Sequence, residues 1–272
     1  MTPTRSRVYT TEGVVLRQFD LGEADRLITL VTPDRGLVRA VARGARRPTS
    51  KVGGHVDLLR RISLSVRVGR TIDALSQVET LESFVGLQQH LGLTLRALYL
   101  AELAERFSVE DAPSSTVYQL LLNGLRFLET APDPNMLMRW FEIHLLGLTG
   151  FRPELKECVD CRGELDPQDH TFSAARGGIV CPKCRPAGDD ILLPASVTTI
   201  KLLRHLNLNA FPSVASLKIN SGSARQAERV LRQHITHVLD RSIYSADLLD
   251  DFRKWNTSVP SQTVHSPTTE HF

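Results

Sequence analysis

The chain has 272 residues, 42% of them hydrophobic and 23% charged, with a formal net charge of +3. That length supports a real core and about two domains, and the composition excludes a disordered, collagenous or low-complexity chain. The apolar windows are broken by charge, at Arg96 and Glu102 in one and at Arg139, Glu142 and His144 in another. None therefore reaches the roughly 18 uncharged residues of a membrane span. Residues 1–15 carry no apolar core of a signal peptide, so a cytoplasmic protein is expected.

Residues 8–82 read as five short strands. Thr11 to Gln18 and Leu27 to Thr32 are rich in Val, Leu, Ile and Thr. Pro33-Asp34-Arg35-Gly36 then makes a turn, with Pro fixing φ early and Gly taking the late, positive-φ position. Leu37 to Arg43 returns as a third strand, whose period of two puts Arg39 and Arg43 on one face. Ile62, Leu64, Val66 and Val68 alternate with Ser63, Ser65, Arg67 and Gly69, the pattern of a half-buried strand. Ile72 to Leu81 supplies a fifth. Five such strands joined by turns predict a small closed or partly closed barrel, because closure hides exposed edges.

The positive charge is concentrated in this region. Residues 1–83 carry 14 Lys and Arg against 9 Asp and Glu, a local excess of five. Between Arg35 and Arg70 lie ten cations and one acid, Asp57. Guanidinium groups at that density repel one another unless an anion sits among them, and a phosphate backbone is the anion that fits. Arg35, Arg39, Arg43, Arg46, Arg47 and Lys51 are the candidate DNA-binding residues. The plain alternative is a solvated loop.

At about Ser83 the pattern turns helical. Phe84 to Phe107 has a wide apolar face, as a helix buried among helices would. Asp111 to Ser115 breaks it and caps a second helix, Thr116 to Glu129. Asp133 and Pro134 suit the cap and first position of a third, Asn135 to Leu148. Val197 to Leu208 is a short helix, and Ser223 with Gln226 reads as a capping box for a long one ending near Leu239. More helix is expected toward Trp255, followed by a disordered Ser/Thr/Pro-rich tail over 257–272.

All four cysteines fall in two C-x-x-C knuckles, Cys158/Cys161 and Cys181/Cys184. Two thiolate pairs on facing turns make a tetrahedron of sulfurs, which suits Zn2+. Two disulfides, or iron–sulfur ligation, are the other readings. Four protein ligands leave no open position, so the zinc would be structural. Lys156, Arg162, Lys183 and Arg185 around the knuckles offset thiolate charge.

No H-E-x-x-H, G-x-S-x-G, P-loop or dinucleotide motif occurs. His234 and His237, three apart, read as solvated more readily than as a second metal site. Gly22 to Arg26 reads as a turn with an ion pair. A non-enzymatic protein is expected, either a DNA binder or a zinc-stabilised protein–protein adaptor.

Three segments, V-Y-T-T-E-G-V-V-L (8–16), G-E-A-D-R-L-I-T-L (22–30) and V-A-R-G-A-R-R-P-T-S-K (41–51), resemble the RecO family of bacterial DNA repair proteins, as does the run 142–158. One departure is Arg162 directly after the second cysteine, where many members carry Gly. The resemblance implies an α+β chain: an OB-fold barrel over 1–82, then a helical domain in two parts, 83–152 and 191–256, with the zinc-binding segment 153–190 inserted between them. It also implies binding of single- and double-stranded DNA, strand annealing, and cooperation with RecR. Together they would load RecA on strands coated by single-stranded DNA-binding protein, whose acidic C-terminal tail is contacted. Recombinational repair in the RecF pathway and association with the nucleoid follow from the same likeness. Residues 1–83 contain only Tyr9 and Phe19 as aromatics, so DNA recognition is expected to be led by phosphate contacts more than by base stacking.

Overall fold

Two hydrophobic clusters organise the chain in the computed structural model, which describes residues 8–184 and 190–258. The smaller cluster fills a five-stranded barrel and includes Val15, Ile28, Leu30, Val38, Ile62, Leu64 and Val66. The larger joins the helices to the outside of that barrel through Val14, Leu16, Val31 and Leu37.

The barrel is built from β1 (Val8–Leu21), β2 (Asp25–Thr32), β3 (Gly36–Ala42), β4 (Arg61–Arg67) and β5 (Asp73–Glu82), in the closed order β1-β2-β3-β5-β4. Strand β1 is 14 residues long. Its first half pairs with β4 and its second half with β2, with a bulge between Val15 and Arg17. One register row runs Val8–Arg67–Ala74–Val41–Leu27–Phe19 and so returns to β1 eleven residues further along. That offset is the shear that closes a small barrel.

Half of the barrel is covered and half is open, and the sequence patterns differ accordingly. Strand β4 alternates strictly, because Ile62, Leu64 and Val66 point inward while its other face meets solvent. In β2, Ile28 to Thr32 are all buried, because helices cover its outer face. This is why 27–32 is a continuous apolar run and 62–68 an alternating one.

The helical part comprises α1 (Val85–Gln88), α2 (Leu91–Arg106), α3 (Ser115–Thr130), α4 (Pro134–Leu148), α5 (Val197–Leu208), α6 (Phe211–Val214), α7 (Ser221–Leu239) and α8 (Tyr244–Ser258). A three-stranded sheet of β6 (His170–Ser173), β7 (Gly178–Val180) and β8 (Leu192–Ala195) lies between α4 and α5, in the order β7-β6-β8. Asp133 caps α4 as expected, its carboxylate accepting from the N–H groups of Asn135 and Met136, with Pro134 at the first position.

Several expectations are corrected. The first expected helix is two, because His90 is extended and starts α2 afresh. The Ser223/Gln226 capping box does not form. Helix α7 begins earlier, with Asn220 accepting from the Ser223 N–H at 2.8 Å. Gln226 is thereby free to reach α5, where its side-chain oxygen accepts from the Ser196 N–H (3.0 Å) and the Thr199 hydroxyl (2.8 Å). Strand β8 pairs with β6 and carries the cysteine-region sheet past residue 190. Helix α8 continues to Ser258; the rest of the expected tail, 259–272, lies outside the described residues.

Barrel and helices are joined by backbone as well as side chains. Gly36 has φ +63°, and a Cβ there would lie 2.2 Å from the Val109 carbonyl oxygen and 2.3 Å from that of Ala112. Beside it the Leu37 N–H donates to Val109 O (3.1 Å) and the Ser114 N–H to Pro33 O (3.2 Å). A second tie is polar: Tyr118 Oη donates to Glu12 (3.0 Å) and accepts from Arg61 Nε (3.1 Å), while Arg61 also pairs with Glu12 at 2.7 Å. Burial pushes the Tyr118 hydroxyl up to about 12, and the Glu12 carboxylate beside it adds to that.

The small sheet docks on α7 through His234. This buried ring packs edge-on against Phe172, and its Nε2 donates to Phe151 O at 2.9 Å. Burial lowers the His234 pKa, and the nearby His237 charge lowers it further.

Gly36→Ala is expected to destabilise the protein by about 2–4 kcal/mol in urea unfolding, from left-handed strain plus displacement of two carbonyls; an unchanged midpoint would mean the seam is soft. The second expectation concerns pH. The unfolded chain takes up a proton at His234 near pH 6.5 that the folded chain resists. The stability from this group is therefore full above that pH and is lost as pH falls below it. The melting temperature should drop between pH 7 and 5.5, and His234→Gln should flatten that slope.

Candidate nucleic-acid interface and metal centre

The ten cations between Arg35 and Arg70 divide into two groups by what they touch. Arg35 lies over the Tyr9 ring, its Cζ 3.8 Å from the centroid. Arg39 pairs with Glu110 (3.1 Å), and Arg46 with Asp20 (3.2 Å) and the Gly22 carbonyl (2.9 Å). Arg60 pairs with Asp57, and Arg61 with Glu12 and Glu82. The other five, Arg43, Arg47, Lys51, Arg67 and Arg70, are exposed and have no ion-pair partner among the described residues.

The strand registers bring the β4–β5 connection level with the exit of β3. Arg43, Arg47 and Lys51 belong to the segment leaving β3, and Arg67 and Arg70 to the β4–β5 connection. Val41 of β3 pairs with Ala74 of β5, which pairs with Arg67 of β4. Arg67 is thus two strand spacings from the β3 exit, about 10 Å. Arg39 lies on the outer face of β3, between residues whose side chains fill the barrel or are buried, while Arg43, expected on the same face, follows the end of the strand in a turn.

The segment after β3 is a packed element. Ala45 and Val56 are buried in the barrel core, and a Cβ on Gly53 would sit 2.2 Å from the Ala45 carbonyl oxygen. The Arg46 N–H donates to Ala24 O at 2.9 Å, and the Gly44 N–H to the Asp25 carboxylate at 2.7 Å. A loop held at so many points fixes where its outward side chains project. Of the Gly22–Arg26 turn, Asp25 serves this purpose, while Arg26 pairs with Asp20 at 3.2 Å.

Base-stacking surface is scarce. Tyr9 is half-buried under Arg35, whereas Phe19 is exposed. What the sequence reading did not anticipate is that Phe19 faces a groove completed by α8, whose Tyr244 lies 225 residues away. No local signal links two such positions.

The four cysteines converge. Their sulfurs all lie within 4.8 Å of one another, with Cys161 Sγ and Cys181 Sγ 3.9 Å apart. A tetrahedron of sulfurs about 2.3 Å from a metal has edges of about 3.8 Å, so the set is close to ligating geometry. Cys181 follows β7 directly. The first knuckle is fixed to the same strand by Val159 N–H donating to Ile179 O (2.9 Å) and Ile179 N–H to Glu154 O (2.9 Å). Burial opposes ionisation of Cys158, but N–H donors from Cys181, Cys161 and Asp160 outweigh it and bring the thiol down to about 6. Hydrogen bonds with Cys161 and Cys181 push Cys184 up to about 12.

Arg162 has φ +60°, and its N–H closes the knuckle on Cys158 O at 3.0 Å. The left-handed backbone is the physical reason glycine suits this position. Its guanidinium is held by Glu157 at 2.8 Å. Lys156 and Lys183 are exposed, and Arg185 lies outside the described residues. His234 and His237 form no metal cluster with other residues among those described, since the cysteine set is the group found there.

A closed five-stranded OB-type barrel followed by helices, with an inserted pair of C-x-x-C knuckles whose four sulfurs could hold a metal ion, defines the class of protein. Comparison with known proteins is specific. Residues 6–84 match the family model for Recombination protein O N terminal, and residues 88–246 that for Recombination protein O C terminal. A relative from Dehalococcoides mccartyi named DNA repair protein RecO is 36% identical over 250 residues, covering 92% of this chain and 98% of its own. Proteins of the same name from Roseiflexus (36% identical; 98% and 94% covered) and Desulforudis audaxviator (38% identical; 86% and 92% covered) are similar. The chain belongs to the RecO family of DNA repair proteins. Among the described residues, no helix is long and apolar enough to cross a membrane.

One tightly held metal per chain is expected by elemental mass spectrometry. Cys161→Ser should weaken its retention against a chelator by more than the ~10–100-fold that loss of an outer partner costs. Proteolysis should then increase over residues 154–184, while the barrel and α2–α4, which have their own cores, keep their protection. Retention equal to the unaltered protein would remove Cys161 from the ligand set.

Proposed function

We propose that this chain is a non-enzymatic DNA-binding mediator of recombinational repair in the RecF pathway. It binds single- and double-stranded DNA through one end of its barrel and anneals complementary strands. It works with RecR to load RecA on strands coated by single-stranded DNA-binding protein, whose acidic C-terminal tail it engages. The metal is zinc, held by Cys158, Cys161, Cys181 and Cys184, and its role is structural because four thiolates close the coordination sphere. The protein acts in the cytoplasm, with the nucleoid.

The observation that carries this reading is the set of five exposed cations without ion-pair partners among the described residues, on one barrel in a chain of this family. Arg43, Arg47, Lys51, Arg67 and Arg70 are the residues that meet phosphates; Arg35, Arg39 and Arg46 support the surface from within their own contacts. An adaptor without a nucleic-acid role gives no reason to leave five exposed cations without ion-pair partners on one barrel. Contacts to phosphate are indifferent to sequence and leave bases free to pair, while screening the repulsion between two strands. Annealing requires both.

If five cations meet phosphates, log K against log salt should slope near −3.5 on single strands, about −0.7 per phosphate. Replacing Arg43, Arg47 and Lys51 together by Ala should make that slope shallower by about 2 and weaken all sequences alike. Replacing Arg46 should do much less. A flat slope would sink the phosphate-led reading, and failure to retain any DNA would sink the function.

A further inference from the structure

The helical part meets the barrel along a groove of about 400 Å³ whose floor is apolar, with Leu16 and Leu58 from the barrel side and Leu98 and Leu248 from α2 and α8. Two aromatic rings line it. Phe19, near the end of β1, is 53% exposed, and Tyr244, the first residue of α8, is 68% exposed. Large side chains so open to water are not held there by their own burial. Tyr244 is fixed by its backbone: the N–H groups of Tyr244 and Ser245 donate to the Glu102 carboxylate at 3.1 and 2.8 Å. The ring is thereby presented from a rigid helix start.

A second, more open cleft of about 670 Å³ adjoins the first and shares Arg17 and Glu105 with it. Arg39, Arg106 and Arg241 also line it, so four arginines border the cleft. Arg241 is exposed and has no ion-pair partner among the described residues. Arg17 pairs with Glu105 at 2.7 Å, the carboxylate being only 14% exposed, whereas Arg39 pairs with Glu110 at 3.1 Å with both side chains more than half exposed. Surface pairs of the latter kind contribute little and exchange readily for another anion. Glu102 adds no free negative charge to the groove, since Arg106 and the start of α8 already engage it.

We propose that the groove is a nucleobase slot: one unstacked base of a single strand lies against the rings of Phe19 and Tyr244, with neighbouring phosphates on the arginines of the adjoining cleft. The proposal rests on the reading that the barrel binds DNA, and it adds the one place where bases are touched. The volume is within the range of small-ligand sites. Two aromatic rims over an aliphatic floor suit the flat apolar faces of a base, and adjacent guanidiniums suit its backbone. A duplex keeps its bases stacked inside and cannot enter. The barrel cations therefore serve both forms of DNA, while the slot serves single strands.

The test uses the full chain, with binding measured by fluorescence anisotropy at fixed salt. The ligands are a thymine oligonucleotide, an abasic backbone of the same length, and a duplex of that length. The unaltered protein should prefer thymine to the abasic strand by about 5- to 150-fold, the range of one stacked base. Phe19→Ala and Tyr244→Ala should each erase most of that margin while leaving the abasic strand and the duplex within about twofold. Tyr244→Phe, which keeps the ring, should retain it. Both positions are exposed, so these changes remove no core packing, and the unchanged duplex affinity reports intact folding. Equal binding of thymine and abasic strands, or variants that weaken all three ligands together, would overturn the slot and leave the phosphate-led function standing. If Phe19→Ala spares thymine binding but weakens an acidic peptide ending in Phe, the groove is a peptide site and the proposal fails. Loss of binding to every DNA would remove both the slot and the function it rests on.

Discussion

The close approach of the β2–β3 hairpin to the loop between α2 and α3 is the constraint on which the rest of the arrangement depends. At Gly36 the two backbones come so near that no side chain fits, and two inter-segment hydrogen bonds lock the contact. That seam turns the outside of β1, β2 and β3 into a second buried face, so the barrel has apolar residues on both sides of half its wall. The Glu12–Arg61–Tyr118 cluster ties the other flank. With two fixed lines of contact the barrel cannot rotate on the helices, and the grooves left between them have a definite shape.

The seam also explains how the positive charge is apportioned. Near it, Arg17 and Arg39 meet carboxylates of the helical part, Glu105 and Glu110, while Arg61 pairs with the barrel's own Glu12 and Glu82 and donates to Tyr118 of α3. Arg46 and Arg60 are taken up by acids of the barrel itself. What remains without an ion-pair partner among the described residues lies around the β3 exit and the β4–β5 connection. Exposed ion pairs are worth about 0–1 kcal/mol, so pairing alone does not mark a residue as structural. Arg43, Arg47 and Lys51 on the packed loop are the more informative feature, because none of them has an ion-pair partner among the described residues.

Much of this was legible in the sequence, and the omissions have physical causes. The strict alternation over 62–68 marked a strand with one wet face, and the Pro33–Gly36 turn was readable from its residue types. The knuckle spacing brought four sulfurs together as two C-x-x-C turns should. Strands β6, β7 and β8 were not seen, because H-T-F-S, G-I-V and L-L-P-A are too short to express a period. The capping box at Ser223 failed because Asn220, one turn earlier, offers an equally good acceptor and releases Gln226 for a tertiary contact. Which arginines are free could not be read at all, since each answer depends on an acid distant in sequence. The pairing of Phe19 with Tyr244 across the groove is of the same kind.

Helix α8 supplies one wall of that groove, and the way it is held is unusual for so large a surface. Its apolar anchor is small: Ala246 and Leu249, with Ile243 just before it, are buried against the bundle. Charge does much of the remaining positioning. Glu102 caps its start, Arg232 pairs with Asp247 and Asp250, and Arg253 pairs with Glu228. Beneath these lies the buried Arg139–Glu142 pair, 2.6 Å apart, with Tyr99 Oη donating to the same Glu142 oxygen. Burial pushes Glu142 up to about 7 despite that arginine; Glu142 Oε2 and the Nε and Nη1 of Arg139 have no hydrogen-bond partner among the described residues, so the pair is held by its one short contact, and removing either member strands a charge in the core. Directional contacts of this sort fix a helix in register more sharply than a greasy face can. The position of Tyr244, and with it the width of the groove, follows from where Glu102 holds the first turn of α8.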